Sequence, residues 1–296
     1  MALSDIRLID LPQIRDPRGN LTFIENATHL PFDIARVYWL YDVPADGCRD
    51  GHAFLCQQEL IVSLSGSFDV TVDDGRSTRT YTLNRPYTGL LVPPLTWRSI
   101  NNFSTNSAGM VLASTLYDPT DYLRDYDRFS RHAAMGHAPI PAPAVTPRPV
   151  ATPADAHAVS SVDTCRILEL PRHSGPMGSL SVVENTGRSP FDVRRVYYLY
   201  DVPSGAERGG HSHYTEQRLI TALAGSFDVT VDDGKQRRTF SLNNPSRALY
   251  IPAGIWRTVD NFSSGSVCLA LSSNVYDAGD YVRDYTKFLD LTSCKR

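Results

Sequence analysis

Four segments of this 296-residue chain occur twice. RVYWLYDVP at 36–44 returns as RVYYLYDVP at 195–203, and GSFDVTVDDG at 66–75 returns unchanged at 225–234. NNFS at 101–104 becomes DNFS at 260–263, and YDPTDYLRDYDRF at 117–129 becomes YDAGDYVRDYTKF at 276–288. Each pair is separated by 159 positions, so residues 7–129 align with 166–288 without a gap, with about half the positions identical. A unit of about 125 residues is too long for a solenoid repeat and long enough to bury a core of its own. The repeat therefore predicts two domains, 1–130 and 164–296, joined by 131–163. That joining stretch is dense in Ala and Pro, which favours a partly extended tether without a core. His132, His137 and His157 fall in or beside it and read as solvated linker histidines.

Within each copy the signals are those of strands. SFDVTV alternates apolar and polar residues, DDG supplies turn chemistry, and RTYTL or RTFSL returns as a hairpin partner. Further short runs (RVYYLYDV, LITALAG, ALYIPAG, VCLALSS) follow at close spacing. Short strands between turns with almost no helical period predict an all-β sandwich or closed barrel; only the tail DYVRDYTKFLDL reads as a short helix. A net charge of −3 and a pI near 6.2 offer no footprint for nucleic acid. No apolar run approaches the roughly 20 residues of a membrane span, and the early charges of MALSDIRLIDLPQIRD do not suit a secretory signal. Cys48, Cys56, Cys165, Cys268 and Cys294 are odd in number and lack CxxC spacing, which points to free thiols in a reducing cytoplasm.

The chemistry-bearing segment is 205–213, Gly-Ala-Glu-Arg-Gly-Gly-His-Ser-His. On a strand His211 and His213 project from the same face. Arg208 and two glycines beside them suggest a ligand-facing mouth; a surface pair is the alternative. Gly-x5-His-x-His followed by Pro252-Ala-Gly254 resembles the two-part signature of the cupin superfamily. Many cupins hold a metal through both histidines, a following glutamate and a third histidine. Here the glutamate slot falls on Arg218 and the third-histidine slot on Arg257, and cationic groups repel a divalent ion, so no metal and no other cofactor is expected.

A narrower resemblance covers nearly all of each copy. RGGHSH, RVYYLYDVP, LxGSFDVTVDDG and YDxxDYxRDY resemble the sugar 3,4-ketoisomerases that act on dTDP-4-keto-6-deoxyglucose. This implies two tandem cupin (jelly-roll) domains and movement of a carbonyl from C4 to C3 of a dTDP-linked keto-deoxysugar, ahead of an aminotransferase. The enediol route asks for a base of near-neutral pKa and a second proton carrier, and histidine suits both. His211 and His213 are the candidates, in an order left open. Tyr197 matches a family site tyrosine, with core packing as its alternative. Arg18, Arg208 and Arg257 are candidates for the pyrophosphate, which a guanidinium fork binds in pairs of hydrogen bonds. Trp256, repeated as Trp97, is a candidate for stacking on base or sugar, with packing as the alternative.

The copies diverge at these positions. His52 matches His211, but Phe54 stands opposite His213, and Met177 stands opposite Arg18. The resemblance implies dimers that exchange N-terminal strands. In a fused pair the exchange becomes internal, giving an intrachain pseudo-dimer, with further homodimerisation left open. One complete composite site is then expected, with Arg18 joining His211, His213, Tyr197 and Arg208, while Met177 falls with Phe54. Two other readings remain: a nucleotide-sugar 3,5-epimerase, disfavoured because it needs a His–Asp dyad, and a non-catalytic sugar-nucleotide-binding module.

Overall fold

The computed structural model describes residues 5–26, 28–135, 139–143, 146–149, 160–186 and 189–293. Its two compact units are discontinuous in sequence. The first contains Met1–Pro12, Ala27–Thr146 and Pro171–Ser189; the second contains Gln13–Asn26, Pro147–Leu170 and Pro190–Arg296. Each unit thus takes a segment from the opposite half of the chain. Asn20–Glu25 pairs antiparallel with Arg195–Tyr200, and Gly178–Glu184 pairs with Arg36–Tyr41. The expected strand exchange is realised within one polypeptide.

The second unit is two antiparallel sheets. The larger runs Arg166–Glu169, Arg247–Ile251, Arg218–Ala224, Val267–Ser272, Arg195–Tyr200, Asn20–Glu25 and Gln13–Ile14. The smaller runs Arg237–Leu242, Phe227–Asp232, Trp256–Asp260, Arg208–His213 and Tyr281–Val282. Alternation decides the core: Phe227, Val229 and Val231 are buried from the smaller sheet against Ile220, Leu249 and Ala270 of the larger. The hairpin expected from SFDVTV-DDG forms in register, Phe227 opposite Leu242 through Asp232 opposite Arg237.

The first unit repeats this plan, with Phe68, Val70 and Val72 packed on Ile61, Leu90 and Val111. These are the two all-β jelly-roll domains expected from the repeat. Two expectations are corrected. Both copies, not only the second, carry a closing helix, Tyr126–Ala134 and Tyr285–Ser293. Asp125 begins the first by accepting the Arg128 amide, and Asp284 accepts the Lys287 amide at the start of the second. The expected tether 131–163 is also narrower than its composition suggested. Its start is helical, with His132 on that helix, and Val162 is buried in the second unit's core. His137 and His157 lie outside the described residues. No helix of the described residues is long and apolar enough to cross a membrane.

Candidate active site

The strand Arg208–His213 does not keep simple alternation. Arg208 sits opposite Val259, Gly209 opposite Thr258 and His211 opposite Arg257, so Gly210 is an extra residue in a bulge. Gly209 and Gly210 have φ of +88° and +66°, and a Cβ on Gly209 would lie 2.9 Å from the Arg257 carbonyl oxygen. Val259 lines the core, and Arg257 is two residues away on the same face. The bulge therefore turns Arg208 inward beside His211 and His213, although 208 and 211 would face opposite sides of a regular strand.

The two imidazoles stand edge to face with ring centroids 5.0 Å apart. Arg257 Nη2 donates to His211 Nε2 at 2.7 Å. Arginine has only donors, so Nε2 must accept, and the ring proton sits on Nδ1, 3.1 Å from the Gly209 carbonyl. The same logic fixes His213. Arg218 Nη2 donates to its Nε2 at 2.7 Å, and Nδ1 donates to Asp280 Oδ2 at 3.2 Å. Both rings are therefore neutral. Burial, then the Arg218 charge, lowers the His211 pKa to about 3. The same two causes, followed by His211 itself, push His213 well down.

Arg218 is the hub of this cavity. It is 2% exposed, donates to the Tyr197 hydroxyl at 2.5 Å through Nη1, and pairs through Nε with Glu216. Glu216 also accepts from Arg195 at 2.8 Å and from Ser272 at 3.2 Å. Burial pushes the Tyr197 phenol up to about 12, against the opposing pull of Arg218. Tyr281 closes the other side, its ring 4.2 Å from that of His213 and 5.0 Å from that of His211. Asp280 is anchored by Thr215 and by the Glu216 amide, and burial raises its pKa.

Arg18 reaches this unit on the exchanged segment. Its guanidinium pairs with Asp16 at 2.8 Å and is otherwise open, with 62% of the side chain exposed. Arg208 lies 3.6 Å from the same Asp16 carboxylate and donates to the Gly19 carbonyl at 3.2 Å. Two guanidinium groups thus share one carboxylate, leaving excess positive charge at the mouth. Asp16 is held well below the usual carboxylate range by its hydrogen bonds from Arg18.

Two of the expected substrate contacts are corrected. Trp256 lies on the opposite strand face from Arg257 and packs on Tyr285 and Phe288 of the closing helix, with centroids at 5.1 and 5.5 Å. It supports the helix, which is the packing alternative. Arg257 does enter the cavity but is 3% exposed and engaged with His211, so it positions an imidazole rather than meeting a phosphate. The expectation that a His–Asp dyad is lacking is also overturned, because His213 and Asp280 form one. Arg218, Glu216, Arg195, Asp280 and Tyr281 escaped selection as site residues. Arg218 did leave a signal, as a cation in the place of a metal-ligand glutamate.

His213, Glu216 and Asp280 bring ligand atoms within 4.8 Å of one another, a spacing that could hold an ion. Each is already engaged, His213 and Glu216 by the two ends of the Arg218 guanidinium and Asp280 by His213, Thr215 and the Glu216 amide. A fixed cation between two of the three donors opposes a second one.

In the first unit the matching cavity is closed by different chemistry. Glu59 replaces Arg218, and Arg98, the counterpart of Arg257, bonds it through Nε at 2.9 Å and Nη2 at 2.8 Å. Tyr38 donates to Glu59 at 2.7 Å, as does Gln57 at 2.9 Å. Phe54 packs on Tyr122 and on His52, with centroids at 4.6 and 5.0 Å. Met177 belongs to this unit and is exposed. Both divergent positions fall together, as the sequence comparison expected.

The chain thus holds two jelly-roll barrels, and the second carries paired histidines on one strand and Pro252-Ala253-Gly254 before another. The chain matches the family described as FdtA: WxcM-like, C-terminal over residues 4–134 and again over 163–293, and it belongs to that family. The TDP-4-oxo-6-deoxy-alpha-D-glucose-3,4-oxoisomerase of Aneurinibacillus thermoaerophilus is 40% identical over 128 residues, spanning 43% of this chain and 92% of that protein. Among solved structures, a 3,4-ketoisomerase from Helicobacter canadensis is 35% identical with a TM-score of 0.43, covering 44% of this chain and 98% of its own. A mutant of the 3,4-ketoisomerase QdtA from Thermoanaerobacterium thermosaccharolyticum, in complex with TDP-4-keto-6-deoxyglucose, is 34% identical with a TM-score of 0.45, covering 45% and 97%.

Proposed function

We propose that this protein is a 3,4-ketoisomerase of TDP-4-keto-6-deoxyglucose with one working site, in the second unit, that operates without a metal. The observation that carries the reading is the pair of neutral imidazoles at 5.0 Å in a cavity lined by arginines. His211 is half-buried whereas His213 is 3% exposed and fixed by Asp280 and Arg218, so His211 is the ring a sugar reaches. On binding, the sugar displaces Arg257 from His211 Nε2, and that nitrogen takes the proton from C3 while the C4 oxygen gains a proton, giving the enediol. The O3 proton then leaves, C4 is protonated, and the carbonyl rests at C3. The Tyr197 hydroxyl carries protons between the sugar oxygens, and His213, held by Asp280 on Nδ1 and by Arg218 on Nε2, fixes the wall beside His211. General acid–base transfer of this kind is worth about 10²- to 10⁴-fold. Arg18 and Arg208 supply the charge at the mouth for the diphosphate.

Incubation with TDP-4-keto-6-deoxyglucose in deuterated water tests this: deuterium is expected at C4 of a 3-keto product. The His213–Asp280 pair favours a second reading, 3,5-epimerisation, which would place deuterium at C3 and C5 and leave the C4 ketone. Tight binding of the sugar nucleotide without any exchange would instead support a binding module. Replacement of His211 by Asn is expected to lower kcat by about 10²-fold or more with little change in KM.

A further inference from the structure

The buried centre of the second unit is built around a residue that the barrel itself does not demand. At the same place in the first unit stands Glu59, and there the cavity closes equally well through Glu59, Arg98, Tyr38 and Gln57. What differs is the neighbour. In the first unit Phe54 stands in place of that histidine and lies under the Arg98 guanidinium, 6.0 Å from the ring centroid, whereas Arg218 meets an imidazole. A guanidinium at position 218 therefore goes with the histidine, not with the fold.

Its three directions of donation have separate consequences. Nη2 occupies His213 Nε2, so that ring can carry its proton only on Nδ1, toward Asp280. Nη1 occupies a lone pair of the Tyr197 oxygen, so the phenolic proton must point elsewhere and is available to an acceptor in the cavity. Nε holds Glu216, which Arg195 and Ser272 grip from the other side, so the guanidinium plane has no freedom to rotate. A cation bridging a histidine and a glutamate is the arrangement of a bound metal in cupins that hold one, and here a side chain supplies it.

We propose that Arg218 is a positioning residue: a covalently built-in cation that sets the tautomer of His213 and aims the Tyr197 proton at the sugar. This rests on the ketoisomerase reading for its catalytic consequence, but not for the tautomer. The charged and titratable groups facing the two rings are Arg195, Arg218, Arg257, Arg283, Glu216, Asp280 and Tyr281. The net positive charge among them opposes protonation of either ring.

The first test needs no variant. Nitrogen-15 NMR of the full-length protein with labelled histidine is expected to show His213 with a pyrrole-type Nδ1 and a pyridine-type Nε2, unchanged from pH 8 to pH 5. A proton on Nε2, or titration near 6.5, overturns the proposal. The second test is Arg218→Gln, with the charge-neutral pair Arg218→Gln/Glu216→Gln as the version that strands no buried carboxylate. Expected are a loss in kcat of about 10²-fold, a KM within about threefold, and an acid limb of the kcat/KM profile that climbs toward pH 6.5. Partial recovery of kcat is expected in Arg218→Lys, which restores the charge but not the fork. A folded variant with unchanged kcat and pH profile, or one that loses only KM, refutes the positioning role. If the wild-type protein fails to isomerise TDP-4-keto-6-deoxyglucose, the ketoisomerase reading falls while the nitrogen shifts still decide the tautomer.

Discussion

At the scale of single residues, the second unit spends its arginines on keeping histidines neutral. Burial, followed by the charges of Arg218, Arg283 and Arg195, disfavours the imidazolium, which holds the His211 pKa at about 3 rather than near 6.5. The sign of the linkage follows. The unfolded ring binds a proton at about 6.5 and the folded ring does not, so stability is full above that value and falls as pH drops from about 6.5 toward 3. Thermal melts at pH 8 and pH 5 are expected to show this loss, and the acid limb of activity is expected well below pH 6.5. The first unit obeys the opposite economy. Glu59 and Arg98 are 1% and 4% exposed, and Glu59→Gln would leave a buried guanidinium without its counter-charge. The expected cost is about 3–5 kcal/mol, read as a lowered first transition in denaturant unfolding. His52→Asn is expected to leave turnover unchanged.

At the scale of elements, one extra glycine decides which residues share the cavity. With Gly210 in place, Arg208, His211 and His213 all face inward. Gly210→Val places a β-branched residue at a φ of +66° that it disfavours and so opposes the bulge. Plain alternation over all four residues from 208 to 211 sends Arg208 to the outer face, where it can no longer lie near Asp16 or bond Gly19. The expected result is a KM for the sugar nucleotide raised about 10-fold or more, since a hydrogen bond to a charged group is worth about 1.5–3 kcal/mol. Because His211 and His213 follow the bulge, kcat is expected to suffer much less. Arg208→Met reproduces the same KM effect without touching the backbone, which separates loss of the guanidinium from disturbance of the strand.

At the scale of the whole molecule, the duplication has become a division of labour through strand exchange. The second unit's larger sheet includes Gln13–Ile14 and Asn20–Glu25 from the amino-terminal copy, and these carry Asp16, Arg18 and Gly19 to the mouth beside Arg208. Glu25 at the end of the same strand accepts the Tyr276 amide at 2.6 Å. Residues 164–296 alone lack this segment, so they are expected to show no turnover as an isolated fragment. Within the intact chain, Arg18→Met is expected to raise KM about 10-fold or more. The mirror change Met177→Arg is expected to leave kcat and KM as they were, because Met177 serves the unit with Phe54 and Glu59. Equal effects of the two changes would contradict a single working site.

Much of this protein could be read along its length. The shared spacing of the paired segments, the alternation in SFDVTV, the common face of His211 and His213, and the unsuitability of Arg218 and Arg257 as metal ligands are local properties of residue type and position. Kinship with strand-exchanging barrels also pointed to Arg18 as a partner of the second copy's histidines. Tertiary structure alone settled the rest. Only pairing partners reveal that Gly210 is supernumerary, that Trp256 turns to the closing helix, and that Arg257 is committed to His211. The junction of Gly19 with Arg208 spans 189 positions, and that of His213 with Asp280 spans 67. Periodicity reports which side of an element a residue occupies. It carries no information about which distant side chain will be waiting there, because that depends on register, twist and bulges across the whole sheet.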